Sequence, residues 1–162
     1  MSISIPEGIT VTADAGKVSV KGPKGSLSDS FKDVSLKIEG KDVVATTKDP
    51  VMVGTVEAHL RNMFIGVTQG YTVNMKIIYS HFPLTLEIKG KEILIKNFGG
   101  EKIPRKCKIV GETKVQVAAQ NVTVTGISKY DVGQTVANLR QATRTKKKDS
   151  RVFQDGVYIS EE

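Results

Sequence analysis

The stretch that decides the fold is Val53-Gly54-Thr55-Val56-Glu57-Ala58-His59-Leu60-Arg61, because it recurs 79 residues later as Val132-Gly133-Gln134-Thr135-Val136-Ala137-Asn138-Leu139-Arg140. Five of the nine positions are identical. The same offset places Leu36-Lys37-Ile38 on Val115-Gln116-Val117. Similarity at a fixed offset is the signature of an internal repeat. The chain therefore contains two copies of one structural unit.

Alternating apolar residues predict short antiparallel strands in both copies. Ile9, Val11 and Ala13 alternate with polar neighbours, and glycines punctuate the segments 13–17 and 38–42 as hairpin turns would. The second copy shows the same period in Leu84, Leu86 and Ile88, then in Ile93 and Ile95, around Lys89-Gly90-Lys91.

Each copy then changes to a helical period. The residues Val53, Val56, Leu60, Phe64 and Val67 recur at helical spacing. Asp49-Pro50 is a start signal for the first helix, and Asp131 holds the corresponding place before the second. We expect strands, one helix and then a returning strand or tail in each copy.

The predicted fold class is α+β, with two tandem homologous domains. In each domain, small antiparallel β-sheets should pack with one α-helix around a single core. We place the first domain at 1–80 and the second, basic domain at 81–162, with the join in Tyr79-Ser80-His81-Phe82-Pro83.

Positive charge is concentrated in the second half of the chain. The formal net charge is +7. Residues 1–80 hold nine Lys/Arg and eight Asp/Glu, a net charge of +1, whereas residues 81–162 hold fifteen and nine, a net charge of +6. Such an excess favours an anionic partner, which can be nucleic acid, an acidic membrane surface or an acidic protein.

The single cysteine and the hydropathy pattern restrict the compartment. Cys107 excludes an internal disulfide, and the positive charge of Arg105, Lys106 and Lys108 would lower a thiol pKa. A small buried side chain is nevertheless its expected role. No apolar run approaches the ~20 residues of a membrane span, and no signal peptide is evident, so we expect a cytoplasmic protein.

The densest basic cluster lies at 140–151, with a net charge of +5 in twelve residues. Clustered cations can neutralise several phosphates and release counterions. The apolar and aromatic segment 152–159 should anchor the cluster, with Phe153 and Tyr158 docking the tail; a solvated, disordered end is the alternative. The predicted phosphate-binding residues are Arg140, Arg144, Lys146, Lys147, Lys148 and Arg151.

A second basic segment adjoins Asn97-Phe98-Gly99-Gly100, whose glycines would let the backbone approach a phosphate closely. An ordinary hairpin with charged strand faces is the alternative. The loop Lys21-Gly22-Pro23-Lys24-Gly25 lacks the nucleotide phosphate-loop pattern and is interpreted as a structural turn. The second segment adds Lys102, Arg105, Lys106 and Lys108 to the predicted phosphate-binding residues.

The sequence offers no convincing group of catalytic or metal-binding residues. His59 lies in the helix pattern and His81 at the join, and neither has partners at metal-ligand spacing, so packing or surface roles are expected. Asp155-Gly156 is typical of a turn rather than of an acid and base pair. We predict no catalytic residue, metal or cofactor, and no enzymatic activity.

The residues resemble one known family over essentially the whole chain: large-subunit ribosomal protein six, in its archaeal and eukaryotic branch. The segments 20–27, 59–71, 79–83 and 97–102 are similar to its first-domain loop, first helix, domain junction and second-domain loop. A specific terminal signature is matched by Gln141, Lys148, Arg151, Phe153, Asp155, Gly156 and Tyr158, of which the last four are taken as tail anchors.

The resemblance implies a structural constituent of the large ribosomal subunit that supports translation. It implies binding to large-subunit rRNA, mainly through the second domain, near the sarcin–ricin loop and the docking site of translational GTPases. Neighbouring large-subunit proteins, and GTPases that dock nearby, are the further expected partners; a membrane and a small-molecule substrate are not. A free-standing basic RNA-binding regulator is the alternative.

Overall fold

The computed structural model describes residues 2–14, 16–31, 34–39, 42–47, 50–80, 82–146, 148–149 and 151–160. Two compact units are formed, one by 1–71 with 127–129 and the other by 72–126 with 130–162. In chain order the elements are β1 (Ser2–Ser4), β2 (Thr10–Asp14), β3 (Lys17–Gly22), β4 (Gly25–Ser30), β5 (Val34–Glu39), β6 (Asp42–Thr47), α1 (Pro50–Thr68), β7 (Tyr71–Ile78), β8 (Thr85–Lys89), β9 (Glu92–Lys96), a 3-10 turn (Phe98–Gly100), β10 (Arg105–Lys108), β11 (Lys114–Ala118), β12 (Asn121–Gly126), α2 (Lys129–Ala142) and β13 (Gly156–Ile159).

The sequence repeat is a structural repeat. Each copy has a three-stranded antiparallel meander, β2-β3-β4 or β8-β9-β10. Each then has an antiparallel hairpin, β5-β6 or β11-β12, followed by one helix. The predicted fold class, α+β with small antiparallel sheets and one helix in each copy, is confirmed.

The core of the first unit joins one face of each sheet to one stripe of α1. Val20 on β3, Val43 on β6 and Leu60 on α1 are fully excluded from solvent. Burying a side chain of this size stabilises the fold by about 1.5–3 kcal/mol. Of the five helical residues predicted from their spacing, Val56, Leu60, Phe64 and Val67 lie in this core, whereas Val53 is only partly buried and lies outside it.

The turn between β3 and β4 covers the carboxyl end of α1. The backbone N–H of Lys24 donates to the carbonyl oxygen of Val67 at 3.0 Å, and its ammonium group donates to the carbonyl oxygen of Gln69. A cation at this end of a helix also complements the helix dipole. The interpretation of segment 21–25 as a structural turn therefore agrees with its contacts. Asp49, the predicted start signal of α1, lies outside the described residues.

The strand after α1 departs from expectation. We expected a returning strand or a tail after the helix of the first copy, but β7 lies between β12 and β13 in the four-stranded sheet β11-β12-β7-β13. Its counterpart in the first copy is β1, which pairs with β6. The expectation of a returning strand was wrong for this copy, because β7 opens the second repeat rather than closing the first.

The core of the second unit repeats the arrangement of the first. Val122, Val124 and Leu139 are fully excluded from solvent, and Ile93 and Ile95 of β9 are buried as well. The predicted division into domains 1–80 and 81–162 stays a prediction, because compactness does not establish where an independently folding domain ends.

Candidate RNA-binding surface

The strand β10 separates the second basic segment into two faces. Successive side chains of a strand point to opposite sides of the sheet. Cys107 is buried and Arg105 is partly buried, whereas Lys106 and Lys108 are exposed. Lys106 and Lys108 therefore lie on the solvent face, and Arg105 points the other way.

Arg105 is engaged by groups of the protein itself. Its Nε and Nη2 atoms donate to the two carboxylate oxygens of Glu101 at 2.8 and 2.5 Å. Its Nη1 atom donates to the carbonyl oxygens of Ala142 and Arg144 at 2.9 and 3.1 Å. The guanidinium carbon lies 4.3 Å from the centre of the Phe98 ring. These contacts fasten the end of α2 to the loop that precedes β10.

A small cavity of about 70 Å³ opens beside this arginine. Lys146 and Lys148 contribute to its wall from the chain that follows α2, and Gly99 and Phe153 contribute as well. A Cβ atom at Gly99 would meet no heavy atom within 4 Å, so a ligand atom has room to approach the backbone there. At Gly99 there is therefore space for the predicted close approach of a phosphate to the backbone.

Cationic side chains surround the carboxylate of Glu101 at this cavity, which Asp155 also lines. The hydrogen bonds from Arg105 lower the pKa of Glu101, and the charges of Arg105, Lys146 and Lys148 lower it further, against a smaller opposing effect of burial. The ammonium group of Lys148 lies 4.6 Å from the centre of the Phe153 ring, within the range of a cation–π contact.

The other predicted cations differ in their surroundings. Arg140 and Arg144 are exposed at the end of α2, and Lys102 is exposed in the loop before β10. Arg151 is also exposed, but its guanidinium forms an ion pair of 3.0 Å with Asp149, whose pKa is lowered by hydrogen bonds from Arg151. Lys147 lies outside the described residues.

The segment that follows the basic cluster forms hydrogen bonds with two other parts of the second unit. Asp155 is buried, and its carboxylate accepts a hydrogen bond of 2.6 Å from the backbone N–H of Ser80. The backbone N–H of Val157 donates to the hydroxyl of Thr143 at 3.2 Å, and that hydroxyl donates to the carbonyl oxygen of Leu139 at 3.0 Å. The cluster is therefore held at the end of α2 and again at β13.

The four predicted tail anchors have different surroundings. Gly156 begins β13 opposite Ile78, so the interpretation of Asp155-Gly156 as a turn was wrong; the turn lies at 151–152. Phe153 is partly buried, whereas Tyr158 is 38% exposed on the strand. The most buried side chain of β13 is Val157. The tail-anchoring roles of Phe153, Asp155, Gly156 and Tyr158 stay predictions.

Cys107 corrects one electrostatic expectation. The neighbouring positive charges were expected to lower its pKa, but burial raises it to about 11. The thiol faces the interior while Lys106 and Lys108 face solvent, so desolvation dominates. A small buried side chain, the role expected for this cysteine, agrees with its 3% exposure.

The histidines and the helices show no other site in the part of the chain that is described. The Nδ1 atom of His59 lies 3.4 Å from Oδ2 of Asp29, and its ring contacts the Phe31 ring edge to face. His81 lies outside the described residues. The described His, Cys, Asp and Glu side chains form no group of three or more that could hold a metal ion. None of the described helices is both long and apolar enough to span a membrane.

Sequence reasoning missed the residues that support the basic cluster. Ser80 carries no local signal, because its partner Asp155 lies 75 residues away in sequence. Glu101 was missed although its partner Arg105 is only four residues away, and Thr143 was missed although Val157 is 14 residues away. The direction of Arg105 could have been inferred, since the alternation of Arg105-Lys106-Cys107-Lys108 places it on the same face as the buried cysteine.

The fold and the surface define a class: duplicated α+β proteins in which the second repeat carries a structured basic segment. Comparison with known proteins narrows this class. The model of the family described as ribosomal protein L6 matches residues 5–70 and 82–156. The chain belongs to this family.

Related proteins are similar in sequence to this chain along nearly its full length. A protein of Methanosarcina mazei, named large ribosomal subunit protein uL6, is 46% identical over 165 residues, which cover 98% of this chain and 94% of the relative. Proteins of the same name from Methanocella arvoryzae and Natronomonas pharaonis are 45% and 46% identical, with the same coverage. The resemblance seen in the sequence is thus confirmed, and the family is one of ribosomal proteins rather than enzymes.

Proposed function

We propose that this protein is a structural constituent of the large ribosomal subunit and binds its rRNA through the second unit. Family membership supports the assignment to the ribosome. The observation that carries the RNA-binding assignment is the position of Lys146 and Lys148 at one cavity, in a segment fastened at both ends. A segment that is already ordered loses less conformational entropy when it binds.

The contacts divide the predicted site by role. Lys146 and Lys148 would bind phosphates at the cavity, and Lys106 and Lys108 would bind them from the solvent face of β10. Arg105 acts as a positioning residue, because its donors are directed to Glu101 and to the end of α2. The remaining predicted cations, Lys102, Arg140, Arg144, Lys147 and Arg151, would add contacts along the same part of the chain.

Cations on phosphates position a protein without reading base sequence, so RNA shape should provide the specificity. The resemblance to the family favours a location near the sarcin–ricin loop and the region where translational GTPases dock. Neighbouring large-subunit proteins are the other partners that we propose. Within the cell the protein would be cytoplasmic, in the large subunit.

The salt dependence of binding to deproteinised large-subunit rRNA tests the role of the two lysines. Each phosphate contact contributes about 0.7–0.9 to the slope of log affinity against log salt. Replacing Lys146 and Lys148 together by alanine should therefore reduce the magnitude of the slope by roughly 1.4–1.8.

Lys17 and Lys21 provide a matched control, because both are exposed on β3 in the first unit. Their double alanine variant removes the same charge and should leave the slope within error of the unsubstituted protein. An equal loss of slope in both double variants would show that only net charge matters, and the assignment to the cavity would then be wrong.

The alternative of a free-standing RNA-binding regulator shares the same basic surface. Sedimentation through a sucrose gradient separates the two. Stoichiometric comigration with large subunits at high salt supports the ribosomal role, and recovery only in the light fractions supports the regulator.

A further inference from the structure

The outer face of the four-stranded sheet β11-β12-β7-β13 is polar along most of its strands. Its central row runs from Gln116 on β11 to Thr123 on β12 and on to Asn74 on β7. The hydroxyl of Thr123 donates to the amide oxygen of Asn74 at 3.3 Å, which shows that the two side chains are neighbours on one face. The face is therefore lined by short hydroxyl and amide groups.

Lysines provide the charge of this face. Lys114 is exposed on β11, and Lys76 is exposed on β7 directly opposite Tyr158 of β13. The other outward positions of these strands hold threonine, asparagine, alanine and isoleucine. No carboxylate side chain extends from an outward position of these four strands, all of which are described.

The solvent face of the other sheet in this unit provides a contrast. On β8-β9-β10, Glu87 and Glu92 are interspersed with lysines, and Glu87 pairs with Lys96 at 2.6 Å. The four-stranded sheet instead combines positive charge with neutral donors and acceptors.

We propose that this sheet face is a second RNA-contact surface, which packs against the ribose–phosphate backbone of folded RNA. Hydroxyl and amide side chains bond to phosphate oxygens and to ribose 2′-hydroxyls, and RNA helices present both across a wide, shallow minor groove. Lys76 and Lys114 neutralise phosphates at two positions on the face, and Tyr158 adds a hydroxyl and a ring beside Lys76. The proposal rests on the RNA-binding function proposed above. Continuity along the chain supports it, because residues 152–155 connect the basic cluster directly to β13.

Removal of the two lysines tests the charge of the face. The variant Lys76→Gln with Lys114→Gln should lower the affinity for deproteinised large-subunit rRNA and reduce the magnitude of the salt slope by roughly 1.4–1.8. The control, Lys17→Gln with Lys21→Gln, removes two exposed lysines from the hydroxyl-rich sheet face of the first unit. It should retain the unsubstituted slope.

Introduction of a carboxylate tests the surface itself. Thr123→Glu places negative charge in the central row and should weaken RNA binding about tenfold or more through repulsion of phosphates. Ser19→Glu is the matched control, because Ser19 lies mid-strand between Thr12 and Ser28 on the first unit's sheet. It should bind within about twofold of the unsubstituted protein. Thermal unfolding of each variant shows whether it is folded.

The proposal is overturned if folded sheet-face variants bind the RNA as the unsubstituted protein does. If they bind free RNA normally but are excluded from large subunits, a neighbouring protein covers the face and the proposal is equally wrong. The Lys146→Ala, Lys148→Ala variant in the same assay separates the proposed function of the basic cluster from the inference about the sheet face. A loss of binding there with unchanged sheet-face variants leaves the proposed function intact and refutes only this inference.

Discussion

The guanidinium of Arg105 donates from Nη1 to the carbonyl oxygen of Ala142 at 2.9 Å, and this bond joins the second meander to the end of α2. The first unit makes a corresponding bond, in which the ammonium group of Lys24 donates to the carbonyl oxygen of Gln69 just after α1. Lys24 lies in the turn between β3 and β4, whereas Arg105 begins β10. In both copies a cation of the meander thus binds a carbonyl group at the end of the helix, and in the second copy Arg105 also donates to the carbonyl oxygen of Arg144 in the basic cluster.

Loss of this contact should destabilise the protein. Arg105→Ala removes bonds to Glu101 and to two carbonyl groups from a side chain that is only 24% exposed, so the free energy of unfolding should fall by about 2 kcal/mol. Urea unfolding of the full chain measures the change. Arg151→Ala is the control, because its ion pair is on the surface and should be worth at most about 0.5 kcal/mol. Equal losses in both variants would contradict the role of Arg105.

The thiol of Cys107 should be inert in the folded protein. Burial raises its pKa to about 11, so at pH 8 a thiol reagent should label it only after unfolding in urea. The folded state retains a proton that the unfolded state loses above its ordinary pKa. The protonated, buried thiol therefore makes its full contribution to the free energy of unfolding below the ordinary pKa of a thiol. This contribution is lost as pH rises towards about 11. Rapid labelling under native conditions would show that the thiol is accessible.

Two glycines of α1 should respond in opposite directions to alanine. A Cβ atom at Gly66 would clash with the carbonyl oxygen of Ile127, a backbone atom that cannot move away easily. Gly66→Ala should cost roughly 1–3 kcal/mol of unfolding free energy. Gly54 has no heavy atom within 4 Å of such a position, and Gly54→Ala should stabilise the helix by about 0.5–1 kcal/mol. Thermal unfolding of both variants checks the prediction, which fails if they shift in the same direction.

The position of β7 predicts how fragments behave. Met75 and Ile77 are buried on β7, which lies between β12 and β13. Fragment 72–162 should therefore unfold cooperatively, whereas fragment 81–162 lacks the strand and should not, because a unit of this size is marginally stable even when complete. Circular dichroism during urea titration measures both. Equally cooperative unfolding of the two fragments would support the division after residue 80.

The sequence predicts elements that have a local period. The meander strands and the apolar stripe of α1 follow from alternation and helical spacing, and the repeat follows from the similarity of 53–61 to 132–140. The pairing of β7 does not follow, because a strand next to α1 in sequence can join either copy and the choice depends on long-range packing.

The candidate site follows from sequence only in part. The abundance of cations at 140–151 is visible in the composition, and family resemblance gives it a function. Which cations are free to bind a ligand is a matter of tertiary contacts. The buried carboxylate of Asp155 accepts a hydrogen bond from Ser80, and the guanidinium of Arg105 donates one to the carbonyl oxygen of Ala142. Both partners are distant in sequence, so neighbouring residues do not indicate these two contacts.

The most direct test of the central claim is a density map of the large ribosomal subunit that contains this protein. We expect the ammonium groups of Lys146 and Lys148 to lie within about 3–4 Å of rRNA phosphate oxygens, at salt-bridge distance. A map that shows both side chains in bulk solvent, with no nucleotide nearby, would contradict it.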